Sequence, residues 1–138
     1  MNRTKVKVQL VGHEGLRLKP YRDTVGKLTI GVGRNLDDAG VTEDEAKVLL
    51  DNDVTRVWKS LTNALPYFGS LDDDRQHVLI DMAFNLGLAG LANFKRMLAA
   101  VEARDFSLAA REMLDSKWAS QVGQRAKTLA AMMKGDSE

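Results

Sequence analysis

"HEGLRLKPYRDTVGKLTIGVGRN", residues 13–35, decides the reading of the fold. Most of the chain carries helical spacing, yet here a lone Glu precedes a Gly, an Asp opens a turn, and a Thr stands in a glycine-spaced apolar run. Leu28, Ile30 and Val32 alternate with Thr29, Gly31 and Gly33, the period-two pattern of a strand. The alternation places the three apolar residues on the core face and Thr29, Gly31 and Gly33 on the opposite one. Two bare glycines weaken a strand, so they call for close approach of a ligand or for a bend. Residues 17–34 read as a β-hairpin region with "DTVGK" (23–27) as its turn. Pro20 confines its strand to an edge.

Helices follow on both sides. The first covers about residues 3–14, with Val6, Leu10 and Val11 as its apolar stripe and Gly15 as its C-cap. "VTEDEAKVLLDNDVTRVWKSL" (41–61) opens a long helix with Thr42 and Glu45 as a capping box. Its apolar positions 46, 49, 50, 54, 57, 58 and 61 keep helical spacing. Pro66 and Gly69 break the chain, and Ser70 caps a helix whose first turn holds Asp72, Asp73 and Asp74. "HVLIDMAFNL" (77–86) is apolar almost all round and reads as the central buried helix, ended by Gly87 and Gly90. Three shorter helices are expected near 91–104, 106–115 and 123–134. The class is α+β, mainly α, within one domain spanning residues 1–138. Its small β lobe is expected at about 13–41, with 1–12 and 42–138 forming the helical lobe and connecting helix.

Composition removes several function classes. There is no Cys and there are only two His, which disfavours a zinc site. No apolar run approaches the ~20 residues of a membrane span, and the N-terminus lacks a signal-peptide pattern. Residues 1–36 carry eight Lys/Arg against two Asp/Glu, while residues 37–87 carry four against eleven. The basic start is compatible with an anionic partner, but a solvated face explains it as well. The near-neutral total and the lack of a basic helix argue against a nucleic-acid partner.

Glu14 continues the stripe of the first helix, which would put its carboxyl at the edge of the core. It also lies in the last turn, where the dipole disfavours negative charge. Both effects favour a protonated carboxyl, the requirement of a general acid; a surface Glu at a helix end is the plainer alternative. Asp23 opens a turn, where Asp is common for local reasons, but a partly wet carboxylate there would stay ionised. A protonated Glu facing an ionised Asp is the pairing used in glycoside hydrolysis. The Thr29 hydroxyl could hold a water or a sugar hydroxyl, or Thr could be present as a good strand former. His13 and His77 read as a solvated and a core or boundary residue. Trp58, Trp118 and the methionines Met82, Met97, Met113, Met132 and Met133 read as packing residues.

Glu14, eight residues, Asp23, five residues, Thr29 is the spacing of the catalytic triad of the phage-type lysozymes, glycoside hydrolase family 24. "TEDEAKVLLDNDV", "DMAFNLG", "ANFKRML" and "SKWASQVGQRA" also resemble successive helices of that family, so nearly the whole chain is covered. The resemblance implies a two-lobed lysozyme-like fold with a cleft. It implies a muramidase that cuts the β-1,4 bond between N-acetylmuramic acid and N-acetylglucosamine in peptidoglycan and uses no metal or other cofactor. In it Glu14 would protonate the leaving oxygen, with Asp23 and Thr29 stabilising charge and holding the attacking water. Gly33, Asn35 and Phe84 would be substrate-binding residues. Arg125 would approach the catalytic Glu from the helical lobe and lower its pKa, against burial and the dipole.

The chain also departs from the family. Arg34 stands where a His is frequent, Asn35 replaces a cleft leucine, and Met97 and Glu112 fall at polar contact positions. The segment between "GVGRNL" and "GVTEDE" is shorter than in the lysozymes it resembles, which implies a trimmed β lobe.

Two rivals stand beside this reading: a non-catalytic peptidoglycan-binding module and a nucleic-acid-binding helical protein. Intact Glu14, Asp23 and Thr29 disfavour the first. The expected setting is that of a monomeric endolysin. It would accumulate in the host bacterial cytoplasm and act on the periplasmic wall without inserting into the membrane. A separate membrane-permeabilising protein would let it out.

Overall fold

The computed structural model of the chain describes residues 1–135. It is an α+β, mainly α fold of the lysozyme-like kind. Two compact units are distinguished, Met1–Leu50 and a second from Asp51 onward.

The first unit opens with α1 (Arg3–Glu14). Asn2 caps it by accepting the Lys5 N–H at 3.0 Å, and Gly15, at φ 75°, returns its own N–H to the Val11 carbonyl. Three antiparallel strands follow in the order β1 (Arg17–Arg22), β2 (Leu28–Gly31), β3 (Arg34–Asn35). β1 is an edge strand, and its register slips between the Arg17↔Gly31 and Tyr21↔Thr29 pairs, the stretch that holds Pro20.

The expected single run from 28 to 33 is corrected. β2 stops at Gly31, and the chain reverses into β3, where Ile30 pairs with Arg34 and Thr29 with Asn35. Gly31 and Gly33 take φ of 70° and 68°, so both glycines serve the reversal rather than a bare sheet face. Thr29 is likewise turned inward. It is 3% exposed, the one buried polar residue among those described, while Val32 is exposed.

No described residue of α1 is buried, which overturns the expectation that Val6, Leu10 and Val11 face a core. All buried apolar side chains lie from Leu61 onward. Fifty residues with short strands supply too little apolar area to enclose a core of their own.

α2 (Glu43–Ala64) starts in the first unit with the expected capping box: Glu45 N–H donates to Thr42 Oγ1 and Thr42 N–H to Glu45 Oε1. Of its apolar positions only Leu61 is buried, and Trp58 is exposed rather than packed.

In the second unit a 3-10 turn (Phe68–Ser70) precedes α3 (Asp73–Ala92). Asp72, not Ser70, occupies the cap position; the Ser70 hydroxyl donates back to the Tyr67 carbonyl. α3 buries one face through Val78, Leu79, Met82 and Ala83, and leaves His77 and Phe84 exposed, so it is not buried all round. Gly87 (φ 74°, ψ 162°) breaks the helix as expected, but helical turns resume as far as Ala92.

Among the described residues four helices complete the unit, not three: α4 (Lys95–Glu102), α5 (Phe106–Leu114), α6 (Lys117–Val122) and α7 (Gln124–Lys134). The unforeseen α6 is capped by Ser116, whose Oγ accepts the Ala119 N–H. It delivers Trp118 to the core, edge-on to Phe94 at 5.9 Å. Met82, Met97, Met113 and Met133 are buried fillers as expected. Arg75 of α3 lies 3.7 Å over the Phe106 ring and donates to the Met133 and Lys134 carbonyls, satisfying the C-terminal end of α7. Among the described residues no single helix is long and apolar enough to cross a membrane.

Candidate active site

Glu14 is the last residue of α1 and is exposed, not set at the edge of a core. Its carboxyl rests against the reversal between β2 and β3. A Cβ placed on Gly33 would lie 2.8 Å from Glu14 Oε2 and 2.9 Å from Cδ. Gly33 therefore has two reasons to lack a side chain: its positive φ and the space the carboxyl takes.

Asp23 and Thr29 are braced on one residue. Asp23 Oδ1 accepts the N–H of Val25 at 3.0 Å and of Lys27 at 2.8 Å. The Asp23 N–H donates to the Lys27 carbonyl at 2.9 Å. The Thr29 hydroxyl donates to that same carbonyl at 2.8 Å. Turn and strand thus share the peptide groups of Lys27, a backbone role with no signature in side-chain spacing. Asp23 Oδ2 takes no hydrogen bond among the described residues. Asp23 stands at one end of β2 and Gly33 at the other, a strand about 10 Å long at ~3.3 Å per residue.

Asn35 has its amide engaged with Asp38. Nδ2 donates to Asp38 Oδ2 at 2.8 Å and Oδ1 accepts the Asp38 N–H at 3.0 Å, which braces the turn after β3. Arg34, where the family often has a His, forks onto Glu45, with NH1 on Oε1 at 2.9 Å and NH2 on Oε2 at 2.6 Å. NH1 also donates to the Gly40 carbonyl at 3.0 Å.

The fork and the Thr42 N–H hold the Glu45 carboxyl down at about 2. When unfolded this carboxyl titrates near 4.5, so its contribution to stability is complete above that pH. The contribution is lost as pH falls from there towards 2. Amide exchange in β2 and β3 is expected to show it: protection lost on Glu45→Gln near neutrality should no longer separate the two proteins near pH 2.

In the second unit Phe84 sits on α3 with 43% of its surface exposed. Arg125 of α7 holds Asp81, with Nε at 2.8 Å and NH2 at 2.7 Å from Oδ1. Asp81 was not singled out from sequence. Asn85 follows Phe84 and accepts the Trp118 indole N–H at 2.7 Å. Met97 and Glu112 both line a pocket of about 580 Å³ with Phe94, Ser116, Lys117 and Trp118. Met97 is buried and presents no polar group there.

Residues 11–134 match the phage lysozyme family. The chain is 32% identical to the pre-baseplate central spike protein Gp5 of Enterobacteria phage T4, over 82% of this chain but only 24% of that protein. It is 25% identical to a probable T4-type lysozyme 1 of Dictyostelium discoideum, over 94% of each. It is also 26% identical to an endolysin of Acyrthosiphon pisum secondary endosymbiont phage 1, over 82% of this chain and 77% of that one. With the family match spanning nearly the whole chain, and the fold agreeing, the chain belongs to the phage lysozyme family.

Proposed function

We propose that the chain is a muramidase that hydrolyses the β-1,4 bond between N-acetylmuramic acid and N-acetylglucosamine. Family membership carries the coarse part, a lysozyme. The finer part rests on the first unit. A helix-end carboxyl is given room by Gly33, and a second carboxylate and a hydroxyl are fixed together on Lys27 at the other end of the same short strand. Glu14 protonates the leaving glycosidic oxygen, and the bond opens through an oxocarbenium-like state. Asp23 and Thr29 hold the attacking water and stabilise charge. Gly33, Asn35 and Phe84 are the proposed sugar contacts, and Arg125, through Asp81, braces the helical side. Peptidoglycan is the partner, met by a monomer.

Release for action on the periplasmic wall is the biological setting favoured by the relatives named endolysin; the route proposed for it is a membrane opened by another protein. The spike-protein relative favours a second setting for the same chemistry, in which the lysozyme is one piece of a particle. Finding the native product free or particle-bound separates the two.

Digestion of purified peptidoglycan, with mass analysis of the released ends, tests the reaction. Reducing muramic-acid ends are expected. Anhydro-muramic ends would mean a lytic transglycosylase that uses the acid without water. Binding without release would leave a scaffold module.

A further inference from the structure

We propose that Arg34 and Glu45 are a positioning pair for the acid, a role that rests on the muramidase reading of Glu14. The geometry forms a continuous chain. Glu45 is fixed at the start of α2 by its reciprocal bonds with Thr42. It holds Arg34 through two parallel bonds, and Arg34 takes a third anchor on the Gly40 carbonyl. Arg34 directly follows Gly33, whose backbone is the wall against which the Glu14 carboxyl lies.

The segment needs such an anchor. Gly31 and Gly33 flank Val32 with positive φ, and glycine is the residue least restrained by its own sterics. β3 is two residues long, so its ladder is short. A bidentate guanidinium–carboxylate fork fixes both distance and plane, which a single charge contact does not.

Magnitudes separate this role from a stabilising one. Both side chains are 40% exposed, and exposed ion pairs contribute little to stability. Misplacing a reacting group by about 1 Å can cost up to ~10²-fold in rate. The pair should therefore act on turnover more than on the melting temperature.

The test is steady-state hydrolysis of peptidoglycan by wild type, Arg34→Gln, Arg34→Lys and Asp105→Ala, with thermal unfolding of each. Arg34→Gln is expected to lower kcat about tenfold with KM little changed. Arg34→Lys keeps the charge without the fork and should show a similar loss. Asp105→Ala removes the N-cap of α5, where Asp105 Oδ1 accepts the Leu108 N–H, and leaves the Thr42–Glu45–Arg34 chain whole; it should lower the melting temperature and keep kcat. The inference is overturned if Arg34→Gln turns over like an active wild type. It is overturned equally if kcat tracks melting temperature across all variants, Asp105→Ala included. An inactive wild type would instead sink the muramidase reading, and this role with it.

Discussion

Glu14→Gln is expected to cut peptidoglycan turnover by about 10²–10⁴-fold, the usual contribution of a positioned general acid, with the melting temperature unchanged. Gln keeps the length and shape of the side chain, so it occupies the same place beside Gly33. Glu14 is exposed, so the fold loses no buried contact. The amide cannot deliver a proton to the leaving oxygen, and that loss falls on kcat rather than on KM. Release of reducing ends per mole of enzyme is the measurement. A variant that keeps more than about a tenth of wild-type turnover would move the acid elsewhere in the chain.

Phe68→Ala has the largest expected effect on stability, about 3–5 kcal/mol. The ring is fully buried in the core of the second unit. Its backbone is pinned as well: the N–H donates to the Leu65 carbonyl, and the Phe68 carbonyl accepts from Leu71 N–H and Gln76 Nε2. A short turn held at both ends cannot collapse into the space the ring leaves, so the cavity term persists. Domains of this kind are stable by only about 5–15 kcal/mol, and the urea midpoint should fall accordingly. Leu88→Ala, at a site 41% exposed, serves as comparison and should cost well under about 1 kcal/mol. Equal shifts for the two variants would contradict the placement of the core.

What could be read from the sequence was what local chemistry determines. The Thr42–Glu45 box, the Gly15 cap and the Asp23 turn each depend on residues a few positions apart, and each formed as expected. The spacing of Glu14, Asp23 and Thr29 placed the candidate site in the β region.

The misreadings came from long-range effects. Period two carried the strand through Gly33, but two positive-φ glycines turned the chain and reversed the environment of Thr29. Helical spacing marked the stripe of α1 and the position of Trp58, yet burial depends on what packs opposite, and spacing does not say. The Arg34–Glu45 fork joins residues eleven apart across a loop, and the Arg75 cap reaches 58 residues to Met133. No local pattern encodes either contact. The brace on Lys27 is a main-chain feature, so no choice of side chain announces it.

The hydroxyl of Thr29 carries a single hydrogen, and the Lys27 carbonyl already has it. Toward any water Thr29 can then only accept. An ionised Asp23, with Oδ1 taking two N–H groups, can also only accept, at the oxygen left over. A water shared by the two must point both of its hydrogens at the protein and its lone pairs away from it. In the proposed mechanism the pair would thus set the polarity of that water before any sugar arrives, presenting an electron-rich face and leaving a single exit, through the carboxylate, for the proton shed on attack.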